Sequence, residues 1–159
     1  MRALGLLATV ALAVSACGDG GGDIGDGPDR LPAVTVTPLD GGPGPLDLAG
    51  VTGPAVINMW ATWCAPCRRE LPAFQDASEA HPDVAFIGVD IAEDPVAARA
   101  FLDRLGVTFP QYADQDGELS DALGVASLPV TLLVDGRGEL TTHLGPMSPD
   151  DLSAALATL

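Results

Sequence analysis

The chain contains no lysine. Its basic complement is seven arginines against 22 acidic residues, for a formal net charge of -15. Such a surface repels phosphate backbones and anionic headgroups, which excludes nucleic acid as a partner and argues against adsorption to a membrane face. A helix needs ~20 apolar residues to cross a bilayer, and the apolar run over residues 3–14 covers only twelve. Two histidines, His81 and His143, accompany three cysteines, so a four-ligand zinc site has little to draw on. The Asp-Gly pairs near the N-terminus lack the glutamate that would complete a calcium loop. There is no internal repeat. What is present is globular in character: hydrophobic residues make up 47% and charged residues 18% of 159, enough for one domain around one core.

Cys17 stands apart from Cys64 and Cys67. A basic start, Met1-Arg2, precedes the apolar run, and Val14-Ser15-Ala16-Cys17 follows it as a small-residue cleavage site. A cysteine directly after that site resembles the lipobox of bacterial lipoproteins, in which it is lipidated and becomes the mature N-terminus. Residues 1–16 are therefore expected to be a lipoprotein signal peptide. Residues 17–30, with six glycines and four aspartates from Gly18 onward, are expected to be a lipidated cysteine and flexible tether reaching roughly 20 Å. Residues 31–159 form the folded domain. The expected location is the extracytoplasmic face of a bacterial membrane, anchored through Cys17, with one cysteine pair left for redox work.

Within the domain, Ala33-Val34-Thr35-Val36-Thr37 alternates like a short strand. The near-continuous apolar run of residues 55–60 reads as a strand buried on both faces. A helix follows the cysteine pair, contains Pro72 and fades by His81-Pro82. Residues 84–89 read as a second buried strand and 90–95 as a loop. A helix with Ala97, Phe101 and Leu105 on one face then ends at Gly106. Residues 109–113 read as extended, and a brief helix around Leu119, Ala122 and Leu123 closes at Gly124. Residues 130–134 and 139–144 read as a hairpin. Ser148-Pro149-Asp150-Asp151 supplies an N-cap, a first-turn proline and acidic residues for a last helix with Leu152, Ala155, Leu156 and Leu159 inward. The order β-β-α-β-α-(short α)-β-β-α predicts a mixed sheet with helices on both faces.

Cys64-Ala65-Pro66-Cys67 puts two sulfurs one helical turn apart, close enough to bond with little backbone movement. At a helix start, unpaired N–H groups and the positive end of the macrodipole favour a thiolate. Cys64 is the expected nucleophile and Cys67 the resolving thiol. Zinc, a structural disulfide and a copper site made of Cys64, Cys67 and His143 are the competing readings. The context and spacing of the pair favour redox chemistry. Of the two tryptophans, one is expected to be buried and one, Trp63, to line a docking surface.

Residues 58–67, Asn-Met-Trp-Ala-Thr-Trp-Cys-Ala-Pro-Cys, and their continuation Arg68-Arg69-Glu70-Leu71-Pro72 resemble the active-site strand, loop and helix of the thioredoxin fold. Within that fold they are similar to the membrane-tethered reductases of the TlpA and ResA kind. Residues 124–135 resemble the segment carrying that family's cis-proline. The resemblance implies an α/β thioredoxin fold with a central mixed β-sheet and helices on both faces. It implies a protein-disulfide reductase with no organic cofactor, whose partners are exported disulfide-containing proteins and a membrane thiol-transfer electron donor, often in cytochrome c maturation. It places Pro129 in the cis form beside the cysteines, the Leu128 backbone against an extended substrate, and Trp63, Ala65 and Pro66 at the docking surface. It assigns the acidic residue near the cysteines to Glu70, and puts Asn58 where ordinary thioredoxins carry a buried aspartate. The alternative implied function is a copper metallochaperone binding through Cys64, Cys67 and His143, although those relatives space their cysteines one residue further apart. A peroxidase would want threonine three residues before its cysteine, whereas Thr62 is two before Cys64.

Overall fold

The computed structural model describes residues 28–159 except 40, 43, 92 and 93. Cys17, the signal peptide and the tether up to residue 27 lie outside the described residues. Among the described residues there are seven strands: β1 (Thr35–Pro38), β2 (Leu46–Asp47), β3 (Ala55–Trp60), β4 (Ala85–Ile91), β5 (Gln111–Asp114), β6 (Val130–Val134) and β7 (Leu140–Leu144). Four α-helices join them: α1 (Ala65–Ala80), α2 (Pro95–Leu105), α3 (Glu118–Leu123) and α4 (Pro149–Leu156). The strands form one sheet in the order β2-β1-β5-β4-β3-β6-β7. The inner strands β3, β4 and β5 are parallel, while β1, β6 and β7 join antiparallel. The expected mixed sheet is therefore the one formed.

All six residues of β3 are buried, and its side chains alternate between two apolar layers as the twofold strand period requires. Val56 and Trp60 face a cluster with Cys64, Cys67, Leu71 and Phe74 of the α1 region, Phe101 and Leu102 of α2, and Leu152 of α4. Ala55, Ile57 and Met59 face the opposite cluster, with Leu48, Ile87, Leu119 and Leu132. Asn58 falls on the α1 side, between Val56 and Trp60.

Several boundaries differ from expectation. Strand β1 begins at Thr35, two residues late, and Leu46–Asp47 pairs with it as an extra strand too short to show a period. Strand β4 runs on to Ile91 and takes in Asp90, which reads as loop by composition yet is paired with Trp60 and Ala113. Helix α2 starts at Pro95, capped by Asp94; Phe101 is buried and Leu105 packs against the core as expected, but Ala97 is exposed and Ala98 and Leu102 are buried instead. Helix α1, by contrast, has Pro72 inside it and ends at Ala80, as expected.

Two relationships position the site. Strand β3 ends at Trp60 beside Asp90, one residue before the end of β4, and Met59, Val130 and Leu144 share one level of the sheet. Among the described residues, the large hydrophobic side chains left exposed are Trp63, Val96 and Leu144, all at this end. At the other end, the Leu140 N–H donates to Asp29 O at 2.9 Å, and Arg30 Nη1 donates to Arg137 O and Gly138 O at 3.4 and 3.5 Å. Asp29 and Arg30 are thereby held against the β6–β7 hairpin.

Candidate active site

Strand β3 delivers the chain to the end of the sheet, where the Cys64 N–H donates to Ala61 O at 3.1 Å and turns it into α1. Cys64 is the N-cap of α1, and Pro66 lies in the first turn, where its missing N–H costs nothing. The Cys64 sulfur takes the capping role usually filled by a hydroxyl or carboxylate oxygen: Sγ accepts from Cys67 N–H at 3.2 Å. Cys64 and Cys67 are joined by a disulfide with Cα atoms 5.3 Å apart. Both are buried, Cys64 at 4% exposure and Cys67 at 0%, so Cys64 is the only one of the two with any open surface. When the bond is reduced, the same N–H and the helix dipole face a sulfur able to carry negative charge.

Trp63, just before the nucleophile position, is 67% exposed, whereas Trp60 is fully buried, stacked on Phe101 at 5.4 Å. Ala65 is exposed and Pro66 half-buried. The Leu128–Pro129 peptide is cis, as the resemblance implies. Pro129 is buried, its carbonyl accepting from Gly145 N–H at 2.9 Å. Leu128 packs against the cluster that contains both cysteines.

Glu70 is buried at 4% exposure, one turn beyond Cys67 on α1. Its Oε1 accepts from Asn58 Nδ2 at 3.0 Å and its Oε2 from Met147 N–H at 3.0 Å. Asn58 Nδ2 also donates to Thr131 Oγ1 at 3.3 Å. One carboxylate therefore ties α1 to β3 and to the turn before α4, and Asn58 extends the link to β6. Burial is the main influence on its titration and pushes the Glu70 carboxyl above its ordinary range, while the bonds from Asn58 and Met147 pull it down.

Thr131 and Met147 are not legible in the sequence as members of this group. Thr131 carries one signal: like Asn58, it is the single polar residue of an apolar strand. Met147 contributes only a backbone N–H, which every residue but proline has. His143 lies on β7 opposite Thr131 in register. It is not gathered with the cysteines: among the described residues no group of three His, Cys, Asp or Glu side chains is placed to hold a metal ion. The copper reading lacks its ligand set here.

This is the architecture of a thioredoxin-fold protein with a disulfide-bonded cysteine pair at the start of a helix. The chain belongs to the AhpC/TSA family, whose model matches residues 28–143. It is 31% identical over 106 residues to the thiol-disulfide oxidoreductase ResA of Geobacillus kaustophilus, covering 65% of this chain and 61% of that protein. Sporulation thiol-disulfide oxidoreductase A of Bacillus subtilis is 31% identical over 103 residues, 61% of this chain and 62% of that protein. The chain thus spans about 61% of the length of these curated relatives. Among solved structures, a secreted Mycobacterium tuberculosis disulfide oxidoreductase homologous to E. coli DsbE superposes with a TM-score of 0.73 at 30% identity, covering 80% of this chain and 96% of that one. MTB DsbF, in mixed oxidised and reduced forms, gives 0.75 at 31%, covering 82% and 96%.

Proposed function

We propose that this chain is an extracytoplasmic thiol:disulfide oxidoreductase that reduces disulfides in exported proteins. The observation that carries the reading is the Cys64 sulfur capping α1, bonded to Cys67 and flanked by the exposed Trp63. In the dithiol form, the Cys64 thiolate attacks one sulfur of a client disulfide and expels the other as a thiolate. Cys67, as thiolate, then attacks Cys64 Sγ, breaks the mixed disulfide and releases the client as a dithiol. Two electrons pass to the client, and Cys64–Cys67 is left oxidised. Glu70 holds or supplies the proton that the exchanging sulfurs require. Trp63, Ala65, Pro66 and the Leu128–Pro129 turn form the docking surface. A membrane thiol-transfer protein returns the pair to the dithiol, and the likeness to membrane-tethered reductases supports a role in cytochrome c maturation. Attachment is through lipidated Cys17.

The test is turnover of a protein disulfide by the full chain with dithiothreitol as reductant. Cys67→Ser should accumulate a mixed disulfide at Cys64, and Cys64→Ser should be inactive. Turnover unaffected by Cys64→Ser overturns the proposal. Incorporation of labelled fatty acid, lost in Cys17→Ala, tests the anchor.

A further inference from the structure

We propose that Asn58 is a positioning residue whose carboxamide turns over with the proton on Glu70, presenting Nδ2 to the carboxylate and Oδ1 to the carboxylic acid. The inference rests on the reading of Glu70 as the proton-handling group of the exchange site.

Donors and acceptors have to balance in so dry a place. Asn58 and Thr131 are fully buried and Glu70 nearly so. Asn58 Nδ2 spends its two hydrogens on Glu70 Oε1 and Thr131 Oγ1, at 3.0 and 3.3 Å. Its Oδ1 is buried with no hydrogen-bond partner, an arrangement proteins rarely keep without a reason. In this orientation the group suits an ionised Glu70, since a carboxylate only accepts. The Met147 N–H occupies Oε2 at 3.0 Å, so a proton arriving on Glu70 is directed to Oε1. There it would confront the Nδ2 hydrogens, donor against donor.

A half-turn about the last torsion of Asn58, a soft rotation, removes the conflict. Oδ1 then accepts from Glu70 Oε1–H and from the Thr131 hydroxyl, which can donate as readily as it accepts. One end of the amide lacks a partner in either orientation: Oδ1 before the turn, Nδ2 after it. The number of bonds is equal, so the proton decides. An aspartate in place of Asn58 would only repel the Glu70 carboxylate, whereas an amide has one face for each protonation state.

Burial favours the protonated acid, while the bonds from Asn58 and Met147 favour the carboxylate. The titratable or charged side chains on the elements around Glu70 are Arg68, Arg69, Asp76 and Glu79 on α1, His143 on β7, and Asp150 and Asp151 on α4, with Cys64 and Cys67 added only when their disulfide is reduced. The hydrogen bonds of Glu70 go to none of them.

The test is a pH titration of the full chain, oxidised and isotopically labelled, following Glu70 Cδ and the Asn58 side-chain Nδ2 and its hydrogens by NMR. The Asn58 signals should move with the same midpoint as Glu70 Cδ. Glu70→Gln keeps a carbonyl for Met147 N–H and turns its own NH2 toward Asn58. In that variant the Asn58 signals should stay near the acid limit at every pH. Asn58 signals that remain flat while Glu70 titrates overturn the inference, as do signals near the ionised limit in Glu70→Gln. The two proposals fail separately: turnover with a flat Asn58 refutes only the amide turn, and a coupled titration without turnover refutes only the oxidoreductase reading.

Discussion

Gln111 fills the volume that a side chain at Gly88 would need. The two residues are register partners on β5 and β4, and a Cβ built on Gly88 would collide with the Gln111 carboxamide. From that position Gln111 Oε1 accepts from Trp60 Nε1 at 3.0 Å, and Nε2 donates to Phe109 O at 3.1 Å. The glycine makes room for a neighbour's amide, which in turn satisfies the buried indole four residues before Cys64.

Gly88→Ala should therefore destabilise the domain by about 1–3 kcal/mol, the usual range for overpacking a tight core. Gln111 cannot swing aside without leaving Trp60 Nε1 unpaired. Gln111→Ala should cost a similar amount, about 1–3 kcal/mol, for the orphaned donor. The double variant should cost clearly less than the two singles together, because the shortened side chain at position 111 no longer meets the methyl added at position 88. Urea unfolding of the four proteins measures the cycle, and strict additivity would refute the account.

Glu70→Gln should alter stability in a pH-dependent way whose sign is fixed. The folded-state carboxyl is raised above its ordinary value of 4.5, chiefly by burial. The stability it contributes is thus fully present below that ordinary value and is lost as pH rises through the folded value. Glutamine carries no such charge. The variant should match wild type in acid and become relatively more stable toward neutral pH. Chemical denaturation across that range reads the difference, and a constant gap would contradict it.

Reduction of Cys64–Cys67 should leave the domain folded. The bond closes a loop with a sequence separation of only three, and chain-entropy reasoning assigns so small a loop about 2 kcal/mol. The two apolar layers on either side of β3 do not depend on it. Denaturation midpoints with and without dithiothreitol give the value. Unfolding on reduction would mean that the disulfide is structural.

Ser148→Ala should cost about 1 kcal/mol, the typical loss of an N-cap. Ser148 Oγ accepts from Asp151 N–H at 3.2 Å, and the Asp151 side chain accepts in return from Ser148 N–H at 3.0 Å. The cap adjoins Met147, so the loss should also loosen the Met147 N–H bond to Glu70. Faster hydrogen exchange at Met147 in the variant would register that coupling.

The sequence makes some of this structure plain and hides the rest for physical reasons. The bounds of β3 and β6 can be read directly, because a strand buried on both faces is a nearly continuous apolar run, interrupted only by Asn58 in β3 and Thr131 in β6. The α4 cap is equally clear from Ser148-Pro149-Asp150-Asp151, since capping is local. The Trp60–Gln111 bond spans 51 positions, and no local pattern announces it. On α2, Phe101 faces inward as its apolar spacing suggests, but Ala98 and Leu102 are buried and Ala97 is exposed, because the docking of the helix on the core, and not local spacing, selects the buried face. Glu70 is recognisable through its likeness to a family motif. Its burial depends on Asn58 and the turn at Met147, which only the folded chain brings together.

Asp29 and Arg30 are fastened at the hairpin beside the start of β3, while Cys64 lies beyond the far end of that strand. Six residues of strand put about 20 Å between the two. A pull transmitted from upstream of residue 28 therefore loads the base of the domain, and the cysteine pair rides at its tip. Under the proposed attachment through Cys17, the load would fall at one end of the sheet and the exchanging sulfurs would be presented at the other.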